Sequence, residues 1–188
     1  MADTPKTEVL ENPHILCILG LGSNQPYKGL SSVEIINSAA GDLKKILSDF
    51  RLSPLYKTNP LHVTDQETFV NAAASGFFSI IDPKSKPLHA DLAARKLLGF
   101  IQKIEAQYGR NRAGERRWGE RTLDIDILLF GEELIAENDL VIPHQRLKER
   151  AFALRPLLDL LPDAAEPGSG LKYQKILESL PIQGISLI

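Results

Sequence analysis

The sequence holds one cysteine, Cys17, so no disulfide can form within the chain and its fold has to rest on an apolar core. That sparse usage fits a reducing compartment, and the setting HILCILGLG gives Cys17 the part of a small buried hydrophobe. No apolar run approaches the roughly 20 residues that span a bilayer, so no membrane partner is expected. The opening MADTPKTEVLENPH carries two prolines and three acidic residues and lacks the basic start and apolar centre of a secretory signal. Residues 1–14 read as an extension, and the protein as cytoplasmic. A net charge of -2 gives no general attraction to nucleic acid, so phosphate binding has to come from a local patch. Nothing reads GxxxxGK[ST], and GLGSN lacks the third glycine of the dinucleotide fingerprint. No internal repeat or linker divides the chain.

At 188 residues with 43% apolar content, one domain can bury about two-thirds of the surface of its unfolded chain. Ile15–Leu19 reads as a first strand closed by a glycine-rich turn, and apolar positions from Val33 to Leu47 make a helical face over Ser32–Leu47. FRLSPLYKT reads as extended and TFVNAAASGFFSII as a strand. A helix follows over Leu88–Tyr108, stopped by Gly109. LDIDILLF reads as a central strand and LIAENDLVIP as short edge pairing. RLKERAFALRPLLDLLP reads as a helical region interrupted or kinked by Pro156, and KYQKILESL as a last short helix. The order predicts an α/β (α+β) fold with a ferredoxin-like core: a mostly antiparallel sheet with helices on one face. Residues 15–162 form the expected domain, with 163–188 a loop and short helix packed on it.

Within LDIDILLF, Asp124 and Asp126 lie about 6.6 Å apart along the strand and point to one face, with Leu123, Ile125 and Ile127 on the other. Two such carboxylates repel and need a compensating cation. A half-solvated pair answered by arginines is one solution. A magnesium site, with few protein oxygens and the rest from water and phosphate, is the other. Between Arg110 and Arg121 lie five arginines against two glutamates. Guanidinium forks match phosphate oxygens, and Gly109, Gly114, Gly119 and Trp118 suit a loop that closes over a ligand. Carboxylates for metal beside arginines for phosphate is the arrangement of a magnesium-dependent enzyme using a nucleotide polyphosphate.

The series GLGSN, YKTNPL, FVNAA, QKIEAQYGR, RRWGERTLDIDILLF, VIPH and RAFALRPLLDL, in that order between Ile15 and Pro162, resembles the 6-hydroxymethyl-7,8-dihydropterin pyrophosphokinase family of folate biosynthesis. The resemblance implies a ferredoxin-like enzyme that transfers pyrophosphate from ATP, its co-substrate, to the pterin hydroxymethyl group and releases AMP. It implies that Asp124 and Asp126 hold two magnesium ions and that Arg112, Arg117 and Arg121 serve the transfer. Gln102, Glu105, Arg110, Trp118, Ile127, His144 and Arg150 are implied on the nucleotide side, Gln102 and Glu105 sharing one helical face. Thr58, Asn59, Leu61, Phe69, Asn71 and Phe152 are implied around the pterin, with Trp118 packing over the closed site. Asn59 stands where the family often has proline and Phe69 where it often has tyrosine. The arginine loop carries one extra residue. Asp139 and Val141 replace an arginine and a threonine of some members, which implies weaker nucleotide affinity. The expected partners are the pterin and ATP alone, on a monomer. Two other readings stand beside this one: an RNA-binding module, which would bind without magnesium and with strong salt dependence, and an enzyme using ATP on a different flat heterocycle.

Overall fold

The computed structural model describes residues 13–59, 67–82, 84, 86–110, 119–181 and 184–188. The first strand, β1 (His14–Ser23), does not end at Leu19 but runs through both glycines. It has a paired neighbour on each side. β4 (Phe69–Ser79) pairs with it as far as Ser23 and β5 (Asp124–Phe130) as far as Gly22, both antiparallel. The sheet order is β5-β1-β4-β3-β8, with β3 at Tyr56–Thr58 and β8 at Ile185–Leu187; β2 (Ser48–Leu52) also pairs with β4. β8 was not expected from the sequence. Its three residues are too few to show a period, and its place comes from pairing with β3.

LDIDILLF is not a central strand: among the described strands of this sheet β5 pairs only with β1. Its outer edge is capped instead. The Ile125 N–H donates to Glu105 Oε1 at 2.9 Å, Arg110 Nη1 donates to the Leu123 carbonyl at 3.0 Å, and the His144 N–H donates to the Leu128 carbonyl at 3.0 Å. An edge sealed in this way is buried like a central strand, which is why its apolar run reads as one.

Helix α1 (Ser32–Leu43) opens with a reciprocal cap between Ser31 and Glu34. It is four residues shorter than the periodicity suggests, because Lys45 and Ile46 close the last turn with bonds to the carbonyls three residues back, those of Asp42 and Leu43. Leu47 stays buried after the helix has ended. Helix α2 (Ala90–Gln107) packs beside α1, and both meet Cys17, Leu19, Leu21, Ile125 and Ile127 in one core.

The sheet is covered on both faces rather than one. Ile18, Leu128 and Leu129 turn the other way, against α3 (Ala151–Leu160) and α4 (Tyr173–Ser179). A bulge opposite Ile18 and Leu19 leaves Leu128 unpaired and sends it with Leu129 into this second core. Pro156 lies inside an unbroken α3; the interruption in this region falls at Arg150, whose extended backbone separates α3 from a 3-10 turn at Leu147–Glu149. Strands β6 (Ile135–Glu137) and β7 (Leu140–Ile142) pair with each other as a separate hairpin. Tyr56 on β3 donates its hydroxyl to Asp159 of α3 at 2.5 Å, which ties together the two elements that wall the site below.

Candidate active site

The face of the sheet beyond the end of the second core carries a cleft of about 910 Å³, its open mouth included. Its floor is β1. Gly22 is paired with Asp124 on one side and Asn71 on the other, and Gly20 is paired with Asp126 and Ala73 in the same way. Residues opposed across antiparallel strands share a face, so the carboxylates and the amide flank a strip without side chains. A Cβ at Gly22 would lie 3.2 Å from Asn71 Oδ1. Glycine inside a strand is costly and marks a place where something else must approach the backbone. Sequence reading assigned GLGSN to a turn and missed this floor.

The carboxylates are surrounded by cations. Asp124 accepts from Arg110 Nη1 at 2.6 Å and from Arg121 Nη1 at 3.1 Å. Asp126 accepts from Arg150 Nη1 at 3.2 Å, and His144 Nε2 lies 3.7 Å away. Burial and the neighbouring Asp124 charge nevertheless push the Asp126 carboxyl above its ordinary pKa, against the pull of His144, Arg150 and Arg110. Its side chain retains 36% exposure, but that exposure is to the cleft, whose walls still displace much of the solvent. Burial draws His144 the other way, towards the neutral form. Its Nδ1 accepts from the Arg146 N–H at 3.1 Å, which leaves the imidazole proton on Nε2, towards Asp126.

Across β1 from the carboxylates, Thr58, Asn59, Phe69 and Asn71 line the cleft, and Phe152 lines it from α3. Asn71 Nδ2 donates to Thr58 Oγ1 at 2.7 Å, which fixes the amide with its oxygen towards Gly22. Arg150 lies over the Phe152 ring at 5.7 Å, so one cation touches both the aromatic wall and Asp126.

Some residues implied by the resemblance lie elsewhere. Gln102 is exposed on α2 and Glu105, three residues on, is buried, so the two do not share an environment. Ile127 points into the core between the sheet and α1 and α2. Asp139 pairs with Arg95 on the outer surface. Leu61, Arg112, Arg117 and Trp118 lie outside the described residues.

Two further residues went unassigned in the sequence. Arg146 lines the cleft beside Arg150. Asn24, buried just after β1, accepts the Arg121 N–H at 2.7 Å and donates to the Glu67 carbonyl at 3.2 Å. It thereby joins the chain entering β5 to the chain entering β4. Its position in GLGSN was the available signal, but an asparagine after glycines reads first as turn chemistry.

The donor set suits a hard cation. Among the described residues no three His, Cys, Asp or Glu side chains cluster as a complete metal cage. Two carboxylates facing an open cleft are what magnesium needs from a protein when water and phosphate complete its shell.

Residues 18–162 match the family model described as 7,8-dihydro-6-hydroxymethylpterin-pyrophosphokinase (HPPK). The chain belongs to the HPPK family. A 2-amino-4-hydroxy-6-hydroxymethyldihydropteridine pyrophosphokinase of Pseudomonas aeruginosa is 42% identical over 78% of this chain and 83% of its own length. The enzyme of the same name from Haemophilus influenzae is 36% identical over 82% and 87%. A crystal structure of Plasmodium falciparum HPPK-DHPS A437G superimposes with a TM-score of 0.64 at 16% identity, covering 90% of this chain and 46% of that one, which supports the fold alone. Membership in the HPPK family agrees with the sheet observed here, antiparallel in every described pairing and covered by helices. No helix among the described residues is long and apolar enough to cross a membrane.

Proposed function

We propose that this protein transfers pyrophosphate from ATP to the hydroxymethyl group of 6-hydroxymethyl-7,8-dihydropterin, giving the pterin diphosphate and AMP in folate biosynthesis. The observation that carries the reading is the row Asp124, Gly22, Asn71. It supports the reading because a carboxylate and an amide flank one glycine on the same face of the sheet, within reach of a ligand that meets metal-bound phosphate at one end and a heterocycle at the other. Asp124 and Asp126 would hold two magnesium ions, which would supply Lewis-acid polarisation for the acceptor hydroxyl and charge neutralisation for the phosphates.

The chain's own residues bind, orient and neutralise. Thr58, Asn59 and Asn71 offer polar edges to the pterin, and Phe69 and Phe152 offer aromatic faces. Arg110, Arg121, Arg150 and His144 meet the phosphates, and their cationic members offset the charge that gathers on the leaving AMP. The resemblance implies that Leu61 serves the pterin, that Arg112 and Arg117 serve the triphosphate and that Trp118 packs over the bound ligands. Gln102, Glu105 and Ile127 do not line the cleft, and their nucleotide-side role rests on the resemblance. The protein acts as a cytoplasmic monomer on ATP and the pterin, with no nucleic acid or membrane as partner.

Product analysis tests the reaction. Purified protein with ATP, magnesium and the hydroxymethyldihydropterin should form AMP and pterin diphosphate in equal amounts. ADP as the nucleotide product would contradict pyrophosphoryl transfer.

A further inference from the structure

Glu105 is only 1% exposed and sits behind β5 rather than in the cleft. Its Oε1 accepts the amide N–H of Ile125, the residue between the two aspartates, at 2.9 Å, and lies 3.6 Å from Arg110 Nη1. The same Arg110 nitrogen donates to the Leu123 carbonyl at 3.0 Å and to Asp124 Oδ1 at 2.6 Å. One guanidinium is therefore shared between a carboxylate that faces the cleft and one that never reaches it.

We infer that Glu105 is a positioning residue that sets how readily Asp124 exchanges Arg110 for a divalent cation; this rests on the metal-dependent reading of the site. A cation arriving at Asp124 competes with Arg110 and Arg121, and of the two Arg110 makes the shorter contact. The second carboxylate spreads the arginine's charge over two anions and gives the guanidinium a partner to keep once Asp124 has turned to the metal. Remove that charge and Arg110 gives more of its own to Asp124, so the incoming cation displaces a stronger counter-ion. Glu105 also holds the backbone between the aspartates on the strand edge that β1 does not pair, which is the part a purely structural role would share. Partners one step behind a metal ligand typically alter metal affinity by about 10–100-fold.

The test is Mn²⁺ binding, read from the free-ion electron paramagnetic resonance signal at a fixed concentration of a non-hydrolysable ATP analogue. Glu105→Gln keeps an oxygen for the Ile125 N–H and loses the charge. Its affinity for Mn²⁺ should fall about ten-fold while its melting temperature stays within about 3 °C of the parent. In an Arg110→Ala background the same change should alter affinity by less than about two-fold, because the cation that Glu105 shares with Asp124 is gone while Arg121 is unaffected. Glu105→Asp keeps the charge but shortens the reach to Ile125. It should lower the melting temperature and leave Mn²⁺ affinity within a few-fold of the parent. Unchanged affinity in Glu105→Gln, an equal loss in both backgrounds, or a loss in Glu105→Asp as large as in Glu105→Gln would each overturn the inference. AMP formation with the pterin is measured separately on the unsubstituted protein, so failure of the proposed reaction and failure of the Glu105 role give different results.

Discussion

Asp124 and Asn71 face the same side of the sheet from the two strands that flank β1, and Gly22 is paired to both. Two strand spacings put their backbones about 10 Å apart, roughly the length of a fused bicyclic ring with a short arm. A ligand lying over Gly22 therefore meets an amide at one end and a carboxylate at the other.

Gly22→Ala tests the floor. Its new Cβ would lie 3.2 Å from Asn71 Oδ1, over the strip the ring is to cover. The variant should raise the pterin KM about ten-fold, worth ~1.4 kcal/mol, and leave ATP binding within error. A rise in the ATP dissociation constant of the same size would place the pterin elsewhere.

Asp124→Asn and Asp126→Asn remove one anion each from the metal end. Either should lower kcat/KM by about 10²–10³-fold, the usual loss for one preorganised electrostatic group. Steady-state kinetics across a magnesium titration measures it. Activity restored by excess magnesium alone would indicate that the carboxylate only raises metal affinity.

The raised Asp126 pKa has a stability consequence whose sign can be worked out. Between its ordinary value of 3.8 and its raised folded value, the folded state binds more protons than the unfolded one, so this group's contribution to stability falls as pH rises through that window. Above the window the metal-free protein carries the full penalty of the second charge. Asp126→Asn should therefore melt higher than the parent at neutral pH without magnesium, by about 2–4 °C for ~1 kcal/mol, a modest figure because the cleft admits water. The gap should narrow towards pH 4 and on adding magnesium with ATP. A variant that melts lower than the parent at neutral pH would mean the ion pair with Arg150 outweighs the burial.

Asn24→Ala should cost both stability and turnover. It leaves the part-buried Arg121 N–H without its side-chain acceptor and removes a donor from the Glu67 carbonyl, a loss of about 1–3 kcal/mol. Thermal melts and kcat check it together. A stability loss with kcat unchanged would reduce Asn24 to a structural cross-link.

Much of this could be read before the structure. The i, i+2 aspartates and the long small-residue strand of β4 are local patterns, and each lies in the strand its pattern indicates. Gln102 and Glu105 show the limit. Three residues apart on one helix, they should be neighbours, yet one faces solvent and the other is sealed behind β5 because α2 packs its apolar stripe with Glu105 at the margin. The edge position of β5 was equally hidden, since Glu105, Arg110 and His144 bond to its backbone from residues close behind it and beyond it in the chain.

The sequence by itself determined which chemistry is present: two carboxylates two apart on a strand, a concentration of guanidinium groups, and amide and aromatic side chains suited to a flat polar ring. Residue type and the strand period of two are local properties, so they survive without knowledge of the fold. Which of those groups face one another was decided only in three dimensions. Strand order put β1 between β4 and β5, and register set Gly22 opposite Asp124 and Asn71 at once. A shift of one residue in either pairing would have turned the carboxylates or the amide into the opposite core.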